Sequence, residues 1–146
     1  MERIQIDVAE PAAYEAMFAL EGYLAKSSLS ATQKNLIKIR ASQINGCAFC
    51  IDMHINEALK EGENPRRIYV LDGWRKTEWF SKDEVALLKM TEELTVLNGN
   101  GLTDATYKEV LHHFDEHTFS QIVMTIVTIN AWNRIAISSH KPLHED

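Results

Sequence analysis

No stretch of this sequence reaches the roughly 18 uncharged apolar residues that a membrane-spanning helix requires. The longest candidate, Ile122 to Ile129, is broken by Thr125 and Thr128 and followed by Asn130, Asn133 and Arg134. The opening residues, Met1-Glu2-Arg3-Ile4-Gln5-Ile6-Asp7, lack the apolar run of an export signal. Basic clusters are equally scarce. None is longer than Arg66-Arg67, and 15 basic against 21 acidic residues leave a formal charge of −6. That balance speaks against a phosphate-backbone footprint, so neither nucleic acid nor a membrane is an expected partner. The expected location is the cytoplasm. Cysteine is rare too, with only two in the chain. In that compartment a lone pair is more often reactive or metal-binding than a structural staple.

Strand signals are missing as well. Beyond the first ten residues there is no period-2 alternation bounded by turn residues and no hairpin dipeptide between apolar runs. The β-α-β framework of a thioredoxin is therefore unsupported. Repeats, low-complexity tracts and linkers are absent, which leaves one expected domain over residues 1–146, with 45% hydrophobic residues to fill a core.

What is present is helical periodicity. Pro11 opens a segment in which Tyr14, Met17, Phe18 and Leu24 recur at helical spacing, and the loop Lys26-Ser27-Ser28 follows. Ser30 and Gln33 form a capping box for a helix carrying Leu36, Ile37, Ile39 and Ile44, which Asn45-Gly46 interrupts. A third helix starts near Cys47 and runs through Leu59, with Gly62 as its stop. Asn64-Pro65 starts a short helix through Val70 and Leu71, and Gly73 to Phe80 reads as a loop with buried aromatics. Ser81 and Glu84 give a second capping box, for a helix bearing Val85, Leu87, Leu88, Leu94 and Leu97. Asn98-Gly99-Asn100-Gly101 is a turn, and Thr103 caps a helix with Tyr107, Val110, Leu111 and Phe114. The last helix, about Thr118 to Ile137, is apolar around much of its circumference, as helices central to a core or a subunit interface are. The expected fold class is all-α, a helical bundle of about six helices.

Chemistry concentrates in Asn45-Gly46-Cys47-Ala48-Phe49-Cys50-Ile51-Asp52-Met53-His54. Cysteines three apart can close a reversible disulfide when the first sits at a helix start and the second in its first turn. Free backbone N–H groups and the helix dipole favour thiolate there. His54 lies four residues beyond Cys50, on the same helix face, where an imidazole can take the thiol proton directly or through water. These positions suggest Cys50 as the attacking thiolate, His54 as its proton partner and Cys47 as the resolving thiol. A peroxide would oxidise Cys50 to a sulfenic acid, and Cys47 would condense with it. An external dithiol protein must then reduce the pair.

Other readings stand beside this one. The cysteines can be inert core residues, and His54 an ordinary helix histidine. A structural zinc site could use Cys47, Cys50 and His54, with the fourth ligand from His112, His113 or His117. The thiols could also act as a non-catalytic redox sensor that switches an oligomer interface. Tyr14, Met17, Phe18, Trp74, Trp79, Phe80 and Trp132 either line a pocket beside the cysteines or serve packing. Arg134 is expected to meet a carboxylate such as Glu84 or Glu92 in a structural ion pair.

The run Leu36-Ile37-Lys38-Ile39-Arg40-Ala41-Ser42-Gln43-Ile44-Asn45-Gly46-Cys47-Ala48-Phe49-Cys50-Ile51-Asp52-Met53-His54 resembles the signature of the carboxymuconolactone decarboxylase/alkylhydroperoxidase D-like family. The resemblance continues through Trp74 to Phe80, Ser81 to Thr95, and Ile129-Asn130-Ala131-Trp132-Asn133-Arg134. It implies an all-α fold, assembly into trimers or hexamers, and a thiol-dependent peroxidase activity on a peroxide or disulfide substrate. It also implies Cys50 as the peroxidatic cysteine, Cys47 as the resolving one and His54 in the proton relay, with neither cofactor nor metal. The branch that decarboxylates a muconolactone lacks this cysteine pair.

One position departs from the pattern. The family's relay also uses a glutamate twelve residues before the first cysteine, and here that residue is Asn35. Asparagine can orient a water or hold His54, but it cannot take a proton at neutral pH. A different carboxylate then substitutes, with Glu15, Glu21, Glu84 and Asp52 as candidates, or Cys50 is activated more weakly. If the missing carboxylate limits proton transfer, Asn35→Glu is expected to raise the rate.

Overall fold

The computed structural model describes residues 1–143. In chain order these form α1 (Ile6–Ala9), α2 (Pro11–Ala25), α3 (Ala31–Asn45), α4 (Ala48–Lys60), α5 (Pro65–Tyr69), a 3-10 helix (Leu71–Lys76), α6 (Lys82–Thr95), α7 (Asp104–His113) and α8 (Glu116–Ser139). There is no β-strand among the described residues. Nor is any described helix long and apolar enough to cross a membrane. Six α-helices run ten residues or more, as expected; α5 is the short helix expected after Asn64, ending at Tyr69, and α1 and the 3-10 helix are the short additions. The segment read as a loop from Gly73 begins inside that 3-10 helix. It buries Trp74 and Phe80 but leaves Trp79 exposed under the guanidinium of Arg66.

The helix starts follow local chemistry. The Ser30 hydroxyl accepts from the Gln33 N–H at 3.1 Å, and the Gln33 side chain accepts from the Ser30 N–H at 3.0 Å. Asn64 caps α5 with Pro65 in its first turn. Glu84 accepts from the Ser81 N–H at 2.9 Å at the start of α6. Each bond satisfies a donor that the first helical turn would otherwise leave open.

The hub is α3, which packs on α4, α6 and α8. Its Ile37 and Ala41 face one core cluster with Leu87, Met90, Val110, Ile122, Ile126 and Ile129. Its Leu36 and Ile39 face a second, with Ala58, Ile68, Leu71, Trp74 and Leu88. A helix buried on two sides has no reason to keep one polar face, which explains why α3 lacks a single apolar stripe. The hub position brings the C-terminal end of α3, the start of α4 and the later turns of α8 together, and the cysteines lie at that junction.

Candidate active site

Gly46 ends α3 in the left-handed region, at φ 67° and ψ 32°, a conformation that other residues adopt at a cost of roughly 1–2 kcal/mol. The turn is closed by the Cys47 N–H donating to the Ser42 carbonyl at 3.0 Å. The chain is thereby delivered with Cys47 as the N-cap of α4 and Cys50 in its first turn. The residue before this turn is anchored from across the bundle. Asn45 donates to the side-chain oxygens of Asn130 and Asn133, each at 2.9 Å, and Asn133 donates to the Ser42 hydroxyl at 3.0 Å. Arg134 joins this group through Asn130, whose carbonyl and side chain it contacts at 2.9 and 3.0 Å. The expected pairing of Arg134 with Glu84 or Glu92 does not form, because Glu84 holds Arg67, and Glu92 receives Arg40, Arg75 and Trp74.

Cys47 and Cys50 are joined by a disulfide, with their Cα atoms 5.3 Å apart. Both are buried, at 2% exposure, and they pack on Ala136 of α8 with Phe49 alongside. The two sulfurs are not equivalent. The Cys50 N–H donates to the sulfur of Cys47 at 3.3 Å, so the helix N-terminus acts on Cys47. Cys50 instead lines a partly open cavity of about 270 Å³. The cavity is bounded by Tyr14 and Phe18 of α2, Lys38 of α3, Met53 and His54 of α4, and Trp132 of α8, among others. Of the seven aromatic and sulfur side chains considered from sequence, Tyr14, Phe18 and Trp132 reach this cavity. Their rings form a mutual cluster with centroids 5.3 to 6.0 Å apart. The Trp132 indole donates to Glu21 at 2.9 Å, and Lys38 lies 3.8 Å from the same carboxylate. Met17 does not line the cavity.

His54 is 4% exposed and lines the same cavity as Cys50. Its Nδ1 lies 2.9 Å from Oε2 of Glu57, one turn further along α4, whereas Nε2 is buried without a hydrogen-bond partner. The hydrogen bond from His54 holds the Glu57 carboxyl below the usual range, against the opposing effect of burial; the charges of Lys38 and Lys60, and of the imidazole whenever it is protonated, act in the same direction as the bond. Glu57 is thus the carboxylate at this histidine, and none of the four candidates drawn from sequence is. Glu15 lies on an exposed turn of α2, Glu21 lines the cavity but bonds Trp132 rather than the imidazole, Glu84 bonds Arg67, and Asp52 meets Asn56. The overlooked signal was the i, i+3 spacing of His54 and Glu57 on one helix face.

Asn35 is buried but donates to Glu61 at 2.5 Å rather than to His54. Of the histidines considered for a zinc site, His117 is remote from the cysteines. His117 lies in the first turn of α8, nineteen residues before Ala136, or about 28 Å along the helix axis. Among the described residues no group of three or more His, Cys, Asp and Glu side chains is arranged to hold a metal.

Comparison with known proteins places the chain in a family of helical folds. The chain is 40% identical over 137 residues to the uncharacterised protein YdfG of Bacillus subtilis strain 168, covering 94% of this chain and 93% of that one. A crystal structure from Agrobacterium tumefaciens matches over 100% of both chains, with a TM-score of 0.95 and 35% identity. That protein is of unknown function and is provisionally named an antioxidant-defence protein AhpD. The debrominase Bmp8 in its apo form shares the fold at 16% identity and a TM-score of 0.83, over 93% of this chain and 73% of that one. Residues 11–93, which include both cysteines and His54, match the family description directly. With its helical bundle and its Cys-x-x-Cys-x-x-x-His site, the chain belongs to the carboxymuconolactone decarboxylase family, on its alkylhydroperoxidase D-like side.

Proposed function

We propose that the protein is a thiol-dependent peroxidase that cycles Cys47 and Cys50 between dithiol and disulfide. The observation that carries this reading is the closed Cys47–Cys50 bond at a cavity that Cys50 lines together with His54. In the reduced form Cys50 is the nucleophile and His54 removes its proton. The thiolate attacks the distal peroxide oxygen; an S–O bond forms, the O–O bond breaks, and the alcohol or water leaves after protonation. The Cys47 thiolate, favoured by the Cys50 N–H, then attacks the Cys50 sulfur and water departs as the disulfide closes. An external dithiol protein returns two electrons and two protons. Cys50, the cavity-lining sulfur, is the one such a reductant reaches first, and Cys47 is the leaving thiolate.

A reducing compartment such as the cytoplasm fits a cycle that depends on re-reduction. Assembly into a homo-oligomer belongs to the same proposal. Supporting it is α2, whose only charged residues are Glu15 and Glu21, yet which leaves Phe18 61% exposed. The provisional antioxidant name of the Agrobacterium protein agrees in direction.

The test is peroxide consumption by the full chain with excess dithiothreitol. Catalytic loss that disappears in Cys50→Ser is the expected result, while Cys47→Ser forms no intramolecular disulfide and turns over only as fast as dithiothreitol reduces its sulfenic acid directly. A single stoichiometric oxidation without cycling would replace this reading with that of a redox sensor.

A further inference from the structure

We propose that Glu57 is the positioning carboxylate of this site, so that nucleophile, base and orienting acid all lie on α4. The inference rests on the reading of Cys50 as nucleophile and concerns the group that prepares its base. Three observations converge. Position 35, from which a family relay would supply a carboxylate across the α3–α4 contact, holds an asparagine already committed to Glu61. Glu57 stands 2.9 Å from Nδ1 of His54. The other ring nitrogen is buried and unpartnered, on a histidine that shares its cavity with Cys50.

The tautomer follows from hydrogen-bond chemistry. An ionised carboxylate only accepts, so Nδ1 must carry the proton and donate. In the neutral ring this leaves Nε2 as a bare lone pair, the form a base needs. When Nε2 takes the Cys50 proton, the ring becomes a cation, and the Glu57 charge beside it stabilises that product. Cys50, His54 and Glu57 are spaced i, i+4 and i+7, which keeps all three on one face of the helix. Asn35 spends its amide on Glu61, while the imidazole's hydrogen bond is to Glu57.

The experiment uses the full-length chain, reduced, in a Cys47→Ser background so that Cys50 is the sole thiol. Two readouts are taken: the rate of Cys50 alkylation by iodoacetamide near neutral pH, and the ring ¹⁵N shifts of His54. The parent is expected to show a protonated Nδ1 and a bare Nε2. Glu57→Ala is expected to mix the two tautomers and slow alkylation about tenfold or more, within the share that a positioned base supplies. Glu57→Gln accepts the same N–H through its amide oxygen, so it retains the tautomer and falls between the two in rate. Glu57 is half exposed, so these variants keep the fold. An alkylation rate unchanged in Glu57→Ala overturns the proposal, whatever the tautomer does. Neither readout involves peroxide. Should both move as expected in a protein that turns over no peroxide, the peroxidase reading fails and the role of Glu57 stands.

Discussion

Asn35 shows how one side chain changes meaning once its neighbour is known. Read in the chain, it is a relay position that has lost its acid, and restoring the acid looks like a gain. In the folded protein its amide serves Glu61 at 2.5 Å, and His54 already has a carboxylate. Asn35→Glu therefore sets two carboxylates within hydrogen-bond distance of each other. The expected outcome is no increase in peroxide turnover and a loss of about 1–2 kcal/mol, the low end for a hydrogen bond to a charged group because Glu61 is exposed. Urea unfolding and a turnover assay check both halves, and a faster enzyme would restore the simpler view. The i+4 spacing of Cys50 and His54 was legible because a helix imposes it. The i, i+3 spacing of His54 and Glu57 was equally local, but spacing alone does not say which rotamers bring the carboxylate to the ring, nor that acids on other helices stay away.

At the scale of elements, the α3–α4 junction is held by a ladder of amides rather than by apolar packing alone. Asn133 is fully buried, accepts from Asn45 and donates to Ser42, so it ties α8 to the last turn of α3, just before Gly46 and Cys47. Asn133→Ala leaves those groups short of a partner. It is expected to cost about 1–3 kcal/mol in urea unfolding and to loosen the approach of Cys47 to Cys50, read as slower disulfide closure after oxidation. A stability and closure rate equal to the parent's would show the ladder to be dispensable. Helix starts were readable here, at Ser30, Asn64 and Ser81, because capping is decided within four residues of chain. The same locality made Gly46 legible as an interruption. It did not reveal that Asn45, Asn130 and Asn133 converge, since they come from elements some 85 residues apart in sequence.

Over the whole molecule, acid stability is set by carboxylates that the fold holds ionised. Glu57, Asp83, Glu92 and Glu93 all lie below their ordinary values. For Glu92 burial works against ionisation, and hydrogen bonds from Trp74, Arg75 and Arg40 outweigh it. Such groups bind fewer protons in the folded chain than in the unfolded one. Their contribution is therefore complete above the ordinary glutamate value of 4.5 and is lost as pH falls through the lowered folded values. The melting temperature of the oxidised protein is expected to hold level from neutrality to about pH 5 and to drop steadily below about pH 4. A melting temperature that rises on acidification through that window would contradict the assignment of these bonds.

Taken alone, the sequence determined the helical class, most helix starts, the Cys-x-x-Cys-x-x-x-His constellation and the family it belongs to. All of these depend on periodicity or on spacing within a turn or two. Tertiary structure decided which sulfur faces the cavity and which receives the helix N-terminus. It also decided which aromatics wall that cavity. Those outcomes turn on how far each helix rotates about its axis when α3 is buried on two sides, and no local stretch of chain encodes that rotation.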